Sequence, residues 1–458
     1  MNTKTMNSRK TTDVCVESVS TSYREYAYRA PMKFGGRTVD GVTLLNVTCK
    51  VRTRRGHRAV GFGSMPLSNV WSFPSDTVPE PETLGAMKHL AESIREVMQD
   101  CKEFGHPIEI TALLDPVYLS KAADLSARLQ LKEEVPVLCT LVTASAFDAA
   151  LHDAFGKVHA VNCYHTYGPE FMNYDLSHYL GRDYVGEYPN KYILQEPRTR
   201  MPIYHLISAV DPIDNADVSD PIDDGLPQTL PEWIRYNGLT HFKVKLNGND
   251  RKWDVERVVK IDRVTSEAQR VRGVTDWVYS LDFNEKCPDI DYLVGVLTDI
   301  RDKASIGYRR IQYVEQPTSR DLRGHPEHIV GKAAKLKPVV IDESLTGIEE
   351  LALARKMGYT GAALKACKGQ SHMMIIASAA ERQNMFLCVQ DLTCPGASLI
   401  QSASLAAHVP SVTAIEANAR QYVPAANEEW EDRFPGIFHI SDGTMDTGGL
   451  NGSGLGAV

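Results

Sequence analysis

Phe242-Lys243-Val244-Lys245, Ser280-Leu281-Asp282-Phe283-Asn284, Tyr313-Val314-Glu315-Gln316-Pro317, Val340-Ile341-Asp342-Glu343-Ser344 and Ala363-Leu364-Lys365 share one design. Each is a short apolar run of strand type that ends in charge. From Lys245 the steps to Asp282, Glu315, Asp342 and Lys365 are 37, 33, 27 and 23 residues, about one strand-helix unit each. In a barrel of parallel strands the C-terminal strand ends face one mouth, and such barrels keep their chemistry there. The spacing therefore predicts three carboxylates and three lysines around one cavity.

Outward from these segments the same grammar continues. Eight strands are expected, at 203–209, 242–246, 278–283, 311–315, 339–342, 362–365, 386–389 and 414–417. Most are near-continuous apolar runs, as strands buried on both faces should be. Alternation of β and α over 202–417 predicts a closed (β/α) barrel. Asp250 reads as the N-cap of a helix carrying Trp253 and Val258, and Thr346-Gly347-Ile348-Glu349 as a capping box. Asp211-Pro-Ile-Asp214 recurs as Asp220-Pro-Ile-Asp223 in the loop after the first barrel strand, where a solvated Pro/Asp turn is the expectation.

The first 200 residues read differently, as α+β. Residues 1 to about 30 are polar and expected to be loose or peripheral. An antiparallel hairpin is expected over 42–60, and a loop with Met65, Trp71 and Phe73 over 63–74, either a lid or packed on its own domain. Helical periodicity covers 81–100, 120–131 and an Ala-rich stretch 142–155 with Gly156 as its C-cap. Residues 169–200 read as an insertion. The expected division is a cap over 1–200, a barrel over 201–420 and a C-terminal segment over 421–458 that returns to the cap, with Gly-rich residues from Gly443 onward.

Composition excludes several classes. At 458 residues two domains are the natural expectation. A net charge of −8 with no Lys/Arg block argues against nucleic acid as a partner. No run of eighteen apolar residues points to a membrane span, and the polar, basic start lacks a signal's apolar core. Nine cysteines, an odd number without zinc-site spacing, read as free buried thiols of a cytoplasmic protein.

Singly, each charged strand end is ordinary; in series they are hard to read as chance. Asp282, Glu315 and Asp342 offer oxygen donors from three strands, with no His or Cys beside them. That set suits Mg²⁺, with Mn²⁺ as a substitute, better than zinc. Lys243 and Lys245 point the same way because strand side chains alternate, and Lys365 lies on the far wall. This arrangement suits removal of a proton from carbon next to a carboxylate, where developing enolate charge must be neutralised. Schiff-base chemistry at Lys365 and a non-catalytic binding barrel are the other classes; the carboxylates weigh against the first and the intact set against the second.

In this order, Phe-Lys-Val-Lys, Leu-Asp-Phe-Asn, Val-Glu-Gln-Pro, Ile-Asp-Glu-Ser and Leu-Lys-Ala-Cys-Lys resemble the enolase superfamily. The resemblance is to its mandelate racemase/muconate lactonizing enzyme group, nearest the muconate lactonizing subgroup. It covers about 200–420 and extends faintly to Ala-Phe-Asp-Ala-Ala-Leu-His-Asp153. It implies a (β/α)7β-type TIM barrel with an α+β capping domain, and the loop around Trp71 as a lid. It further implies Asp282, Glu315 and Asp342 as Mg²⁺ ligands, Lys245 and Lys365 as an acid/base pair assisted by Lys243, and Asn284 and Glu343 as orienting groups. The substrate would be a small carboxylate and the protein a homo-oligomer. Racemisation or epimerisation is the simplest outcome, with cycloisomerisation or β-elimination of an acid sugar as alternatives.

Three departures stand out. Lys368-Gly369-Gln370-Ser371 replaces the group's usual Lys-x-Gly-Gly turn. Val389-Gln390-Asp391 replaces a seventh-strand histidine, and Glu416-Ala-Asn418 keeps one charge of the Asp-x-Asp found in dipeptide epimerases. Gln390, Asp391, Glu416 and Trp71 are the specificity candidates.

Overall fold

The computed structural model describes residues 10–456. Eight parallel strands close the barrel: β4 (Arg200–Ile207), β5 (His241–Lys245), β6 (Val278–Asp282), β7 (Ile311–Glu315), β8 (Val339–Ile341), β9 (Gly361–Leu364), β10 (Phe386–Val389) and β11 (Ile415–Glu416). Neighbours pair in chain order, and β11 returns to β4 through Ile415 opposite Ile203. All eight expected strands are present. The helices between them start as local chemistry dictates: the Asp250 carboxylate accepts the Trp253 N–H at 3.0 Å, capping the helix Arg251–Arg272.

Ahead of the barrel lies a three-stranded antiparallel sheet, β1 (Val14–Phe34), β2 (Arg37–Thr53) and β3 (Arg58–Pro66). Three long helices follow one turn, α1 (Asn69–Ser72): α2 (Glu80–Asp100) and α4 (Val137–Val158) pack on the sheet, and α3 (Pro107–Arg128) packs on both of them. A long β1 corrects the expectation of a loose start for the residues from Val14 onward; residues 1–9 lie outside the described range. β1 and β2 turn at Gly35-Gly36, both with positive φ (52° and 80°), which glycine alone adopts at no steric cost. The turn reaches the barrel mouth, where the Ala209 N–H donates to the Lys33 carbonyl at 3.1 Å.

α4 is the core of the cap. It is long and apolar enough to cross a bilayer, yet 89% of its apolar window is buried inside the fold. β3 crosses it so closely that a Cβ on Gly61 would stand 2.1 Å from the Ala150 carbonyl oxygen. Gly156 does not cap this helix, as expected, but lies inside it. A Cβ there would stand 2.7 Å from Gly454 Cα, so glycine is what lets the C-terminal tail pack on α4. Near the end of the chain, β12 (Thr444–Asp446) pairs antiparallel with β4.

Two local expectations fail. The helix Ile348–Lys356 begins after Gly347 with no side-chain cap, so the Thr346 box does not form. In the acidic loop, Asp214 and Asp217 pair with Lys260 at the surface as a solvated turn should. Asp211, however, is half-buried and accepts from Ser208 and from Tyr422 Oη at 2.6 Å. All nine cysteines are free and buried.

Candidate functional site

The C-terminal ends of β5 to β11 bring the charged residues into one buried set. Lys243 Nζ donates to Glu315 Oε1 at 2.8 Å, Gln390 Oε1 at 2.8 Å and Glu416 Oε2 at 3.0 Å, and stands 3.1 Å from Asp282 Oδ2. Lys245 Nζ meets Asp282 Oδ2 at 2.5 Å. On the opposite wall Lys365 Nζ is 2.8 Å from Asp342 Oδ2, while Lys368 Nζ reaches Asp342 Oδ1 at 3.1 Å and its carbonyl at 2.6 Å. β5 and β9 lie four strands apart in an eight-stranded barrel, so Lys245 and Lys365 face each other across it.

Backbone strain marks the same place. Asn284, Glu285 and Gln316, just past the ends of β6 and β7, take φ of 43°, 64° and 28°. Such conformations cost about 1–3 kcal/mol each and persist where surrounding contacts hold them. Here Asn284 Nδ2 donates to Glu343 Oε1 at 3.1 Å, and Glu285 chelates Arg320. Gln316 bridges Ser344 and the Asp342 N–H.

The electrostatics follow from burial and proximity. Burial disfavours charge on Lys243, but Glu315, Glu416, Asp282 and Asp342 outweigh it and hold its ammonium form well above the usual range. Lys365 is shifted the same way, burial being overcome chiefly by Asp342. Against burial, Lys245 and Lys243 pull the Asp282 carboxyl down to about 2. Burial and Asp282 push Glu315 up, and burial with Glu416 pushes Asp391 up to about 6.

The donor set fits a divalent cation. Glu315 Oε2 and Glu343 Oε2 are buried without a hydrogen bond, and Asp342 Oδ2 has only its ion pair with Lys365. Buried carboxylate oxygens left so are costly unless something positive meets them. Six buried carboxyl groups (Asp282, Glu315, Asp342, Glu343, Asp391, Glu416) stand against four buried lysines (243, 245, 365, 368). Taken as fully ionised they sum to two negative charges, which one divalent cation would balance. The lysines hold the space between the carboxylates. Among the described residues, the donor atoms drawn within 4.8 Å of one another belong instead to His325, Glu327 and His328, on an outer loop.

A cavity of about 580 Å³ opens above this set, the size of a small-molecule site. Lys245, Lys365, Asp391, Glu416 and Trp71 line it, and the cap closes it with Tyr26, Tyr28, Met32 and Phe34 of β1. Gln390 is not at its surface; it is tied to Lys243 and Tyr313 beneath. Trp71 is buried rather than a free lid. Its indole N–H donates to Glu343 Oε1 at 3.0 Å, its ring covers Lys365 Nζ at 4.2 Å, and Arg320 Nη1 holds its carbonyl at 3.1 Å.

Sequence reasoning passed over the β1 tip, Arg320 and the grip of Lys368 on Asp342. The alternation Tyr26, Tyr28 was a usable signal for the first. Nothing in the local sequence signals Arg320.

A family model described as "Enolase C-terminal domain-like" matches residues 227–458. No curated protein matches this chain by sequence. Among solved structures, a dipeptide epimerase from Enterococcus faecalis V583, complexed with Mg and the dipeptide L-Leu-L-Tyr, aligns with TM-score 0.65 and 17% identity over 96% of this chain and 99% of its own. The L-Ala-D/L-Glu epimerase from Bacillus subtilis aligns at 0.62 and 18% over 97% and 99%. A muconate lactonizing enzyme from Pseudomonas fluorescens, complexed with muconolactone, aligns at 0.60 and 15% over 97% and 96%. These likenesses speak to fold. With the family match over half the chain, they mean that this chain belongs to the mandelate racemase/muconate lactonizing enzyme group of the enolase superfamily and is an enzyme.

Proposed function

We propose that the protein removes a proton from the carbon next to a carboxylate and returns it on the other face, as a racemase or epimerase. The observation that carries this reading is the pair Lys245 and Lys365, both lining the cavity from opposite walls. One lysine, neutral, takes the proton; the other, as an ammonium, gives one back from the other side. Asp282, Glu315 and Asp342 would hold Mg²⁺, which when bound supplies positive charge against the substrate's carboxylate oxygens as the enolate develops. Mg appears with several of the structural neighbours, including the dipeptide-bound enzyme.

This chain's own residues do the rest. Lys243 keeps Glu315 and Glu416 in place. Asn284 and Trp71 converge on Glu343 Oε1 and leave Glu343 Oε2 free beside Asp342. The β1 tip and Trp71 cover the mouth and reduce water access to the reacting carbon.

The test is α-proton exchange in D₂O with Mg²⁺ against pooled amino acids, N-acyl amino acids, dipeptides, hydroxy acids and acid sugars. Metal-dependent deuterium uptake that falls in both Lys245→Ala and Lys365→Ala supports the reading. A loss of about 10²–10⁴ in rate is expected for each. Uptake indifferent to EDTA or to both lysines would sink it. Exchange of one enantiomer lost in one lysine variant and of the opposite enantiomer lost in the other assigns each lysine to a face; both enantiomers depending on the same single lysine would favour cycloisomerisation or β-elimination.

A further inference from the structure

Resting on the reading above, we infer that Ser371 and His152 are positioning residues for Lys365: a hydrogen-bond chain from the cap helix α4 fixes the turn that carries this lysine. Gln370 and Ser371 stand where the group usually has two glycines. They open the helix Gln370–Arg382, which Gly369 precedes without a side-chain cap. The cap comes from the other domain. Asp148 of α4 accepts the Ser371 N–H on Oδ2 at 2.8 Å and the Ser371 hydroxyl on Oδ1 at 2.7 Å. A carboxylate at a helix start meets both an unpaired N–H and the positive end of the helix dipole.

That carboxylate sets the direction of the chain. Ser371 has one hydroxyl proton and gives it to Asp148, so its oxygen accepts from His152 Nε2 at 2.9 Å. His152 is neutral, burial outweighing Asp148 and lowering it to about 4, so its Nδ1 is an acceptor. Tyr167 Oη, 3.1 Å away, donates to it in preference to the softer Cys163 Sγ at 3.7 Å. Tyr167 in turn accepts from Gln370 Nε2 at 3.2 Å, which returns the chain to the turn. Asp148, His152, Tyr167, Gln370 and Ser371 are all buried. Glycines at 370 and 371 would take these partners from His152 and Tyr167, which is costly for polar groups out of water.

The turn passes this grip to the site. The Lys368 N–H donates to the Lys365 carbonyl at 2.9 Å, and the Gly369 N–H to the Ala366 carbonyl at 3.0 Å. Met373, in the first turn of the helix, sets its Sδ 3.2 Å from the Lys365 nitrogen. A second cap helix holds the same start, because His372 Nε2 lies 3.0 Å from Asp115 Oδ2 of α3. Lys245 sits within β5, between β4 and β6. Release of the chain therefore moves Lys365 and leaves Lys245 in place. A shift of about 1 Å in a group that must meet a reacting atom costs on the order of 10²-fold in rate.

The experiment is competitive labelling of the Mg²⁺-loaded full chain with trace acetic anhydride, read lysine by lysine by mass spectrometry. In Ser371→Ala and in His152→Leu the labelling of Lys365 relative to Lys245 is expected to rise about tenfold, as the loss of one buried hydrogen bond implies. His152→Gln keeps a donor for Ser371 and should stay close to wild type. An unchanged ratio in both variants, or a rise shared equally by the two lysines, would overturn the inference. Ser371→Ala removes a single oxygen and decides the point even if His152→Leu does not fold. Deuterium exchange separates the two claims. On a compound whose α-proton the wild type exchanges, Ser371→Ala should slow the Lys365 face about tenfold and spare the Lys245 face. A changed labelling ratio in a protein whose exchange ignores both lysines would count against the proton-transfer reading alone. Lysine-dependent exchange that slows equally on both faces, or on neither, would leave that reading standing and remove this one.

Discussion

Trp71→Phe tests whether the cap is fastened to the barrel through the active site. Trp71 sits on the single turn α1, and three barrel loops hold it: Glu343 by its indole N–H, Lys365 by its ring face and Arg320 by its carbonyl. Phenylalanine keeps the backbone bond and an aromatic face but loses the N–H. The lost hydrogen bond, made to a buried carboxyl, is worth about 1–3 kcal/mol. A weaker ring face over the lysine adds about 0.5–1 kcal/mol. Urea unfolding followed by circular dichroism should therefore show a loss of about 2–3 kcal/mol. Glu343→Gln in the same background completes a cycle. If the indole meets the Glu343 carboxylate, the two changes should couple by about 1 kcal/mol or more, since each removes the other's partner. Glu343 is held up by burial first and by Asp342 and Asp282 next, so the bond weakens if the carboxyl is neutral. That places the result toward the lower end of the range at acid pH. A Trp71→Phe protein within 0.5 kcal/mol of wild type, or a cycle with no coupling, would refute the idea that this contact joins the domains.

Gly61→Ala should cost about 3 kcal/mol or more in thermal or urea unfolding, because its Cβ would lie 2.1 Å from the Ala150 oxygen and 2.3 Å from the Ala154 nitrogen. Gly85→Ala on α2, where nothing lies within 4 Å, should instead be neutral or stabilise by about 0.5–1 kcal/mol; similar losses at both sites would refute the close-packing account. His241, at the start of β5 away from the mouth, is lowered by burial to about 4, from 6.5 when unfolded. Between those values the unfolded chain binds its proton and the native chain does not, so this histidine removes stability as pH falls. His241→Asn should gain on wild type by about 3 kcal/mol between pH 7 and pH 4; parallel pH profiles for the two proteins would refute the assignment.

The barrel was legible because its strands carry two independent signals at once. Val339-Val340-Ile341 and Ala362-Ala363-Leu364 are apolar on both faces, which only a doubly covered strand tolerates, and each run stops at a charge. β1 carries neither signal. Beyond Val19 only Met32 is fully buried, and Ser20 to Tyr28 read as polar chain. Its strand conformation comes from sixteen aligned partners on β2, a property of the pair rather than of β1. The contact between Trp71 and Glu343 spans 272 residues and leaves no local trace at either end.

Lys368 shows where a correct observation still lacked its meaning. The departure from the usual turn was visible in the sequence, but a strand reading puts side chains at period two. After Lys365 the chain turns into a 3-10 helix, Ala366–Lys368, whose period of three sets Lys368 on the same side as Lys365. The two ammonium groups then take the two oxygens of one carboxylate, Asp342 Oδ2 and Oδ1. A second lysine on a single carboxylate is stable only where negative charge is in excess, which is the condition a divalent cation would also need. The extra lysine and the orphaned oxygens of Glu315 and Glu343 are thus two expressions of the same surplus of buried negative charge. No single motif carries that surplus, because its six carboxyl groups come from five different strand ends.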